Sequence, residues 1–184
     1  MKKFELTDEF INVGFKKLFR IKALINFGNI TAGTVGGFIE KEENLSQRDD
    51  AWIYDDAKVY GNTKVSGNAK VSGDAEVSGD AKIYGNAKVS GNAKVCGDAW
   101  IYGNAWIYGN ADYTTIKGFG TQFRTTAFFR CKDKKVRVRC GCFCGTIDEF
   151  REQVQKTRDG KIAKEYLMIA DLMEYHFKET EEEE

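Results

Sequence analysis

The sequence predicts a mainly β fold: a coiled array of six-residue units, preceded by an N-terminal cap and followed by a small α+β domain of one hairpin and two helices. Three observations predict it. Residues 49–112 read DDAWIY, DDAKVY, GNTKVS, GNAKVS, GDAEVS, GDAKIY, GNAKVS, GNAKVC, GDAWIY, GNAWIY and GNAD. One aliphatic residue holds a fixed place in each unit, from Ile53, Val59 and Val65 to Ile101 and Ile107, with a small residue four positions later, as at Ala57, Thr63 and Ala69. Beyond residue 117 this period gives way to alternation and then to helical spacing. A period so short winds the backbone into stacked coils, which neither an amphipathic helix nor simple strand alternation explains.

Residues 1–48 form the cap and an irregular first coil. KKLFRIKALINF alternates apolar and basic residues around Leu18, Arg20, Ile21, Lys22, Ala23 and Leu24, which reads as a strand, with a short helix as the alternative. NITAGTVGGFIEKEENLSQ then supplies Gly33, Gly36 and Gly37, and its Ile39 and Leu45 stand six apart, so this stretch enters the coil. The step from Leu45 to Ile53 is eight residues and calls for a bulge or loop around Gln47 to Asp49.

Residues 49–116 form the regular coil. An aliphatic residue followed four places later by a small one, every six residues, resembles the hexapeptide repeat of left-handed parallel β-helices. That resemblance implies three units per triangular coil, with the aliphatic side chains filling the interior and Ala letting the corners close. Gly with Asn or Asp tolerates the turn conformations that bulkier residues resist. Eighteen residues per coil then align Trp52, Lys70, Lys88 and Trp106 in one outward ladder. Lys58, Glu76, Lys94 and Asp112 form a second, and Lys64, Lys82 and Trp100 a third. Lys–acid alternation in the second ladder gives solvated pairs worth at most about 1 kcal/mol each. Trp100, Tyr102, Trp106 and Tyr108 crowd the last coil, where the middle coils carry Ser and Lys, so a cover is expected there.

Residues 117–178 form the α+β domain. RTTAFFRCKDKKVRVRCGCF reads as a hairpin connected by Lys132 to Lys135, with Phe129, Cys131, Val136, Val138 and Cys140 alternating with charged residues as a half-buried pair. Thr146 and Glu149 match a capping box that starts a helix near Asp148 to Thr157, which Arg158, Asp159 and Gly160 break. A second helix from about Ile162 to Phe177 carries Tyr166, Ile169, Ala170, Met173 and Phe177 as an apolar stripe for the hairpin or the last coil. An open coil end exposes unpaired backbone and interior Val and Ile, which such elements would cover. The terminal KETEEEE reads as a disordered solubilising tail, residues 179–184 being wholly acidic apart from Thr180.

Composition narrows the function. The 28 basic and 28 acidic residues cancel, so no global electrostatic argument for nucleic acid exists. No apolar run approaches a membrane span, and MKKFELTDEF lacks a signal-peptide core, so a cytoplasmic location and no membrane partner are expected. Five cysteines, three of them at 140, 142 and 144, suit reduced thiols better than a disulfide framework.

GGFIEKEENLSQ running into DDAWIYDDAKVYGN resembles a group of phage- and bacteria-encoded hexapeptide-repeat proteins, many labelled acyltransferases by repeat similarity alone. CGCFCGTIDEFREQV is similar to the small domain often appended to such repeats in phage and Firmicute genomes. The resemblance covers most of the chain and implies a left-handed β-helix, often trimeric, in a mobile-element context. It brings no chemistry with it.

Catalytic signals are sparse. Hexapeptide acyltransferases use a histidine base at a groove between subunits, whereas the one histidine here, His176, falls in the second helix, and the repeats carry no inserted loop. Cys140, Cys142 and Cys144 would face one side of a continuing strand and could begin a zinc site, but no fourth ligand is evident, and buried apolar thiols are the preferred reading. Neither a metal nor any other cofactor is expected. The best electrostatic feature is the hairpin, where Arg124, Arg130, Lys132, Lys134, Lys135, Arg137 and Arg139 oppose only Asp133. Such a patch suits an acidic protein surface or a small anion, although a plainly charged outer face neutralised by the Glu tail is the simpler account. Arg130, Lys132, Lys134, Lys135, Arg137 and Arg139 are therefore the candidate binding residues, with Trp52, Trp100 and Trp106 as the alternative surface. The preferred expectation is a noncatalytic phage or prophage accessory protein. It would be a homo-oligomer, with a trimer favoured, that binds or sequesters a host macromolecule or anionic small molecule, as an anti-defence inhibitor would. The alternatives are a hexapeptide-repeat acyltransferase and a virion-associated structural module.

Overall fold

The structure, a computed structural model, describes residues 1–178; the expected acidic tail at 179–184 lies outside the described residues. The chain divides into two compact units between Asn110 and Ala111, ahead of the boundary expected at 116. No helix among the described residues is long and apolar enough to cross a membrane.

The N-terminal unit is a parallel β-solenoid of about four turns. It opens with β1 (Phe4–Val13), β2 (Lys16–Ala23) and β3 (Val35–Ile39), followed by ten two-residue strands that begin every six residues. These are β4 (Trp52–Ile53), β5 (Lys58–Val59), β6 (Lys64–Val65), β7 (Lys70–Val71), β8 (Glu76–Val77), β9 (Lys82–Ile83), β10 (Lys88–Val89), β11 (Lys94–Val95), β12 (Trp100–Ile101) and β13 (Trp106–Ile107). They stack into three sheets, β3-β5-β8-β11 with β1 and β2 at its edge, β4-β7-β10-β13, and β6-β9-β12. Partners stand eighteen residues apart, as in Lys70↔Lys88, Glu76↔Lys94 and Lys82↔Trp100. The repeat's inward phase holds throughout: Val59, Val71, Val77, Ile83, Val89 and the small residues Ala57, Ala69 and Ala75 are fully buried. Leu45 bridges to Val65 while Ile53 pairs Val71, so the expected extra residues fall between them.

Asp112, expected in the second ladder, instead ends a short 3-10 turn, Asn110–Asp112. The Asn110 side chain accepts the Lys94 N–H at 2.7 Å, so a side chain stands where the next strand would.

Corners explain the glycines. Gly79 has a φ of +76°, and a Cβ there would stand 2.8 Å from the backbone nitrogen of Gly97 in the next coil. These coils can therefore approach so closely only because Gly79 lacks a side chain. At the first coil the corners carry acids instead: Glu40, Asp49 and Asp55 accept the N–H groups of Gly61, Gly67 and Gly73 at 2.6, 2.7 and 2.9 Å. Burial opposes the charge on Glu40, yet hydrogen bonds from Lys16 and from the Gly61 amide hold its carboxyl below the ordinary range.

The N-terminal strands extend one face of the solenoid: β1 and β2 form an antiparallel hairpin, β2 pairs antiparallel with β3, and β3 pairs parallel with β5. The strand expected around residues 18–24 is thus β2, while β1 was not anticipated. The Lys3 amine is buried nearby and donates to the carbonyls of Asp49 and Ala51, each at 2.8 Å. Burial pushes that amine down to about 8, against the pull of Asp49 and Asp50.

The C-terminal unit is a four-stranded antiparallel sheet, β14 (Tyr113–Phe119), β15 (Arg124–Arg130), β16 (Val136–Cys140) and β17 (Phe143–Thr146), followed by α1 (Ile147–Thr157) and α2 (Gly160–His176). β15 and β16 are the expected hairpin, and Lys134 donates to the Cys131 carbonyl at 2.8 Å across its turn. The outer strands were not anticipated. Thr146 caps α1 through the Glu149 N–H, and Glu149 returns a bond to the Thr146 N–H, completing the expected capping box. The stripe Tyr166, Ile169, Ala170, Met173 and Phe177 is buried against Phe128, Val138, Phe150 and Val154. Arg151 ties the helices together, meeting Asp171 at 2.8 Å and Glu174 at 2.5 Å.

One strand face differs from expectation. Phe128, not Phe129, shares the helix side with Val138, because Phe128 pairs directly with Val138 and Phe129 with Arg137. Phe129 and Cys131 lie on the other face and are also buried, so β15 is apolar on both sides at its centre instead of half-buried.

Candidate functional site

The residues expected to form the binding surface divide sharply. Trp52 stands at an outward position of its coil yet is fully buried, with Phe4 and Phe27 rings at 6.3 and 5.4 Å. It therefore belongs to the core and offers no docking surface. The backbone of Gly36 lies against its ring, where a Cβ would come within 2.7 Å. Trp100 is half-buried with the Lys82 amine 4.3 Å from its ring centre, and Trp106 is 40% exposed with Lys88 at 5.4 Å. Each outward indole thus lies beside the lysine one coil earlier.

The basic hairpin is likewise split. Arg130 bonds Asp112 at 3.1 Å and the Phe177 carbonyl at 3.1 Å, so it closes the end of α2 within its own unit. Arg137 pairs with Asp133 at 3.0 Å and lies on the sheet face opposite the helices, as does half-buried Arg139. Lys132, Lys134 and Lys135 remain exposed around the turn. The expected continuous cationic face is therefore a three-lysine tip.

The three clustered cysteines do not share a face. Gly141 takes a φ of +58°, the chain turns, and Cys140 pairs with Phe143 while Cys144 pairs with Arg139. Cys140 packs towards the helices and Cys144 away from them. No disulfide links the five cysteines, and among the described residues no three His, Cys, Asp or Glu side chains group as a metal site. Burial pushes the Cys131 thiol up to about 11 and raises Cys144 as well. His176 is exposed in the last turn of α2 and does not border the cleft described next.

That cleft, about 310 Å³, opens between the β16–β17 turn and the α1–α2 junction. Phe143, Phe150 and Val154 form an apolar wall, and Arg124, Arg158 and Gln153 bring polar groups to it. A recess of about 70 Å³ adjoins it, bordered by Thr121, Gln122 and Gly141 and sharing Arg124, Arg158, Cys140 and Tyr166. No Asp or Glu lines either space. Neither arginine has a carboxylate partner among the described residues; the Arg158 guanidinium donates to the neighbouring Thr157 carbonyl, at 2.8 Å.

Local structure explains their placement. Arg124 begins β15 and its guanidinium lies over the turn, where a Cβ on Gly141 would come within 2.6 Å of Nη1. Arg158 follows α1 with extended backbone, and its N–H bonds the Val154 carbonyl at 2.8 Å. Behind them the Tyr166 hydroxyl donates to the Phe119 carbonyl at 3.3 Å, and Cys140 Sγ lies 4.0 Å from it. Burial pushes that phenol up to about 12, helped by Cys140 and opposed by the charges of Arg158 and Arg124. It stays neutral at physiological pH and adds no negative charge to the cleft.

Sequence reading placed Arg124 in the basic cluster but treated Arg158 only as a helix breaker. Nothing in local sequence joins them, because 34 positions separate the two. No family model and no curated protein matches the chain.

Proposed function

We propose that the protein is a noncatalytic binding module, a left-handed hexapeptide-repeat scaffold whose C-terminal unit takes an anionic small molecule in the Arg124–Arg158 cleft. The observation that carries this reading is a concave site with two guanidiniums and no lining carboxylate, an arrangement that costs electrostatic energy until an anion enters. In the wider reading it acts as a homotrimeric phage or prophage accessory protein in the host cytoplasm, removing a host anion from use. The phage context is what the family resemblance implies. The exposed Trp106 and Tyr108 are what favour assembly.

The test is titration calorimetry of the full chain with inorganic phosphate at low ionic strength. Binding should weaken as salt rises, because exposed charges are screened over about 8 Å at physiological ionic strength. Arg124→Ala with Arg158→Ala should abolish it without lowering the melting temperature, since both side chains are exposed. Unchanged binding in the double variant, or none in the wild type, would overturn the reading.

A further inference from the structure

We propose that the ligand of this cleft is a phosphomonoester carried on a planar ring, of the size of a nucleoside monophosphate. This rests on the anion-binding reading above and specifies its ligand.

Charge points to phosphate. Two guanidiniums reach the cleft from separate elements, the start of β15 and the α1–α2 junction, with no carboxylate among the lining residues. A phosphomonoester is close to dianionic at neutral pH, matching two cations where a carboxylate matches one. Arginine forks also bind phosphate oxygens in pairs, which a lysine ammonium does not.

The remainder of the lining points to a ring. Phe143 and Phe150 stand side by side, ring centres 5.4 Å apart and tilted by 50°, and Val154 continues the same wall. Inorganic phosphate would leave that surface wet. Gln153 lies on the same rim with an amide that can both donate and accept, which suits the edge of a heterocycle. The volume of about 310 Å³ is at the small end of ligand sites, room for one ring and one phosphate but not for a dinucleotide.

Three probes separate these contributions in calorimetric titrations of the full chain: adenosine 5′-monophosphate, adenosine and inorganic phosphate. The monophosphate should bind at least about tenfold tighter than either of the others. Phe143→Leu, which keeps an apolar side chain against the core, should bring the monophosphate close to the affinity of inorganic phosphate and leave phosphate itself unchanged. Gln153→Ala, at an exposed position, should weaken the monophosphate and adenosine but leave inorganic phosphate unchanged. Arg158→Ala should weaken both anions. Equal affinity for phosphate and monophosphate, or indifference of the monophosphate to both Phe143→Leu and Gln153→Ala, would remove the ring and leave the anion site standing. Adenosine binding as tightly as its monophosphate would overturn the phosphate assignment, and failure of both anions to bind would remove the site altogether.

Discussion

The solenoid and the C-terminal unit use the same chemical alphabet to opposite ends. In the solenoid several charged groups meet neighbours supplied by the repeat: Lys70, Lys82 and Lys88 lie by aromatic rings one coil away, and Glu40, Asp49 and Asp55 close the first corners. In the C-terminal unit Arg130, Arg137 and Arg151 are equally engaged, yet Arg124 and Arg158 face a cleft with no carboxylate partner among the described residues. Repetition restates its own contacts, because each coil sets the same positions beside those of the coil before it. Chemistry left unspent collects where the repetition stops.

The largest expected effect tests the repetitive half. Val77 is fully buried between Val59 and Val95, so Val77→Asp places an unpaired carboxylate in the interior at a cost of several kcal/mol. Loss of the folded transition in thermal denaturation is expected, while Glu76→Ala, one residue outward, should cost under about 1 kcal/mol. Equal shifts would break the inward phase.

A smaller effect separates the middle of the solenoid from its end. Gly79 and Gly97 share the left-handed conformation, but a Cβ on Gly79 meets the next coil whereas one on Gly97 meets nothing within 4 Å. Gly97→Ala should cost about 1–2 kcal/mol from conformation alone. Gly79→Ala should cost a further 1–3 kcal/mol or so from overpacking, read from denaturant midpoints at constant slope.

Next is pH. The buried Lys3 amine sits near 8 in the folded chain, below its ordinary 10.5, so the unfolded chain holds the extra proton between those values. Stability from this group is present above 10.5 and lost as pH falls through about 8. The stability difference between wild type and Lys3→Met should therefore shift in favour of wild type by up to roughly 2–3 kcal/mol from pH 8 to 10.5, measured by urea unfolding. A flat difference would show that the amine is solvated. Smallest of all, Arg124→Ala and Arg158→Ala should each change stability by less than about 0.5 kcal/mol while weakening ligand binding, which would sharpen the contrast.

How much was legible in sequence follows the same division. The solenoid interior could be read residue by residue, since each unit restates the pattern at Val71, Val77 and Ile83. The stripe and capping box made both helices equally plain. Trp52 was misread because the period says outward, and only residues from far along the chain, Phe4 and Phe27, cover it. β1 was missed because FELTDEFINV shows no sustained alternation, and its pairing with β2 supplies the order instead. Arg158 was invisible as a site residue for a similar reason: the junction between two helices has no motif, and its partner Arg124 meets it only through the fold.

The eighteen-residue pairing also sets how such a chain can change in length. Removing or duplicating one whole turn returns every later side chain to its own ladder and every corner glycine to another glycine. Removing a single unit, such as residues 85–90, would still leave glycine above glycine, but it would rotate each later strand onto the neighbouring face. Tyr102 would then leave the ring of Tyr84, on which it now stacks at 5.2 Å. The corners accept steps of six, whereas the faces accept only steps of eighteen. Length in this fold is inherited in whole turns wherever a face carries something worth keeping.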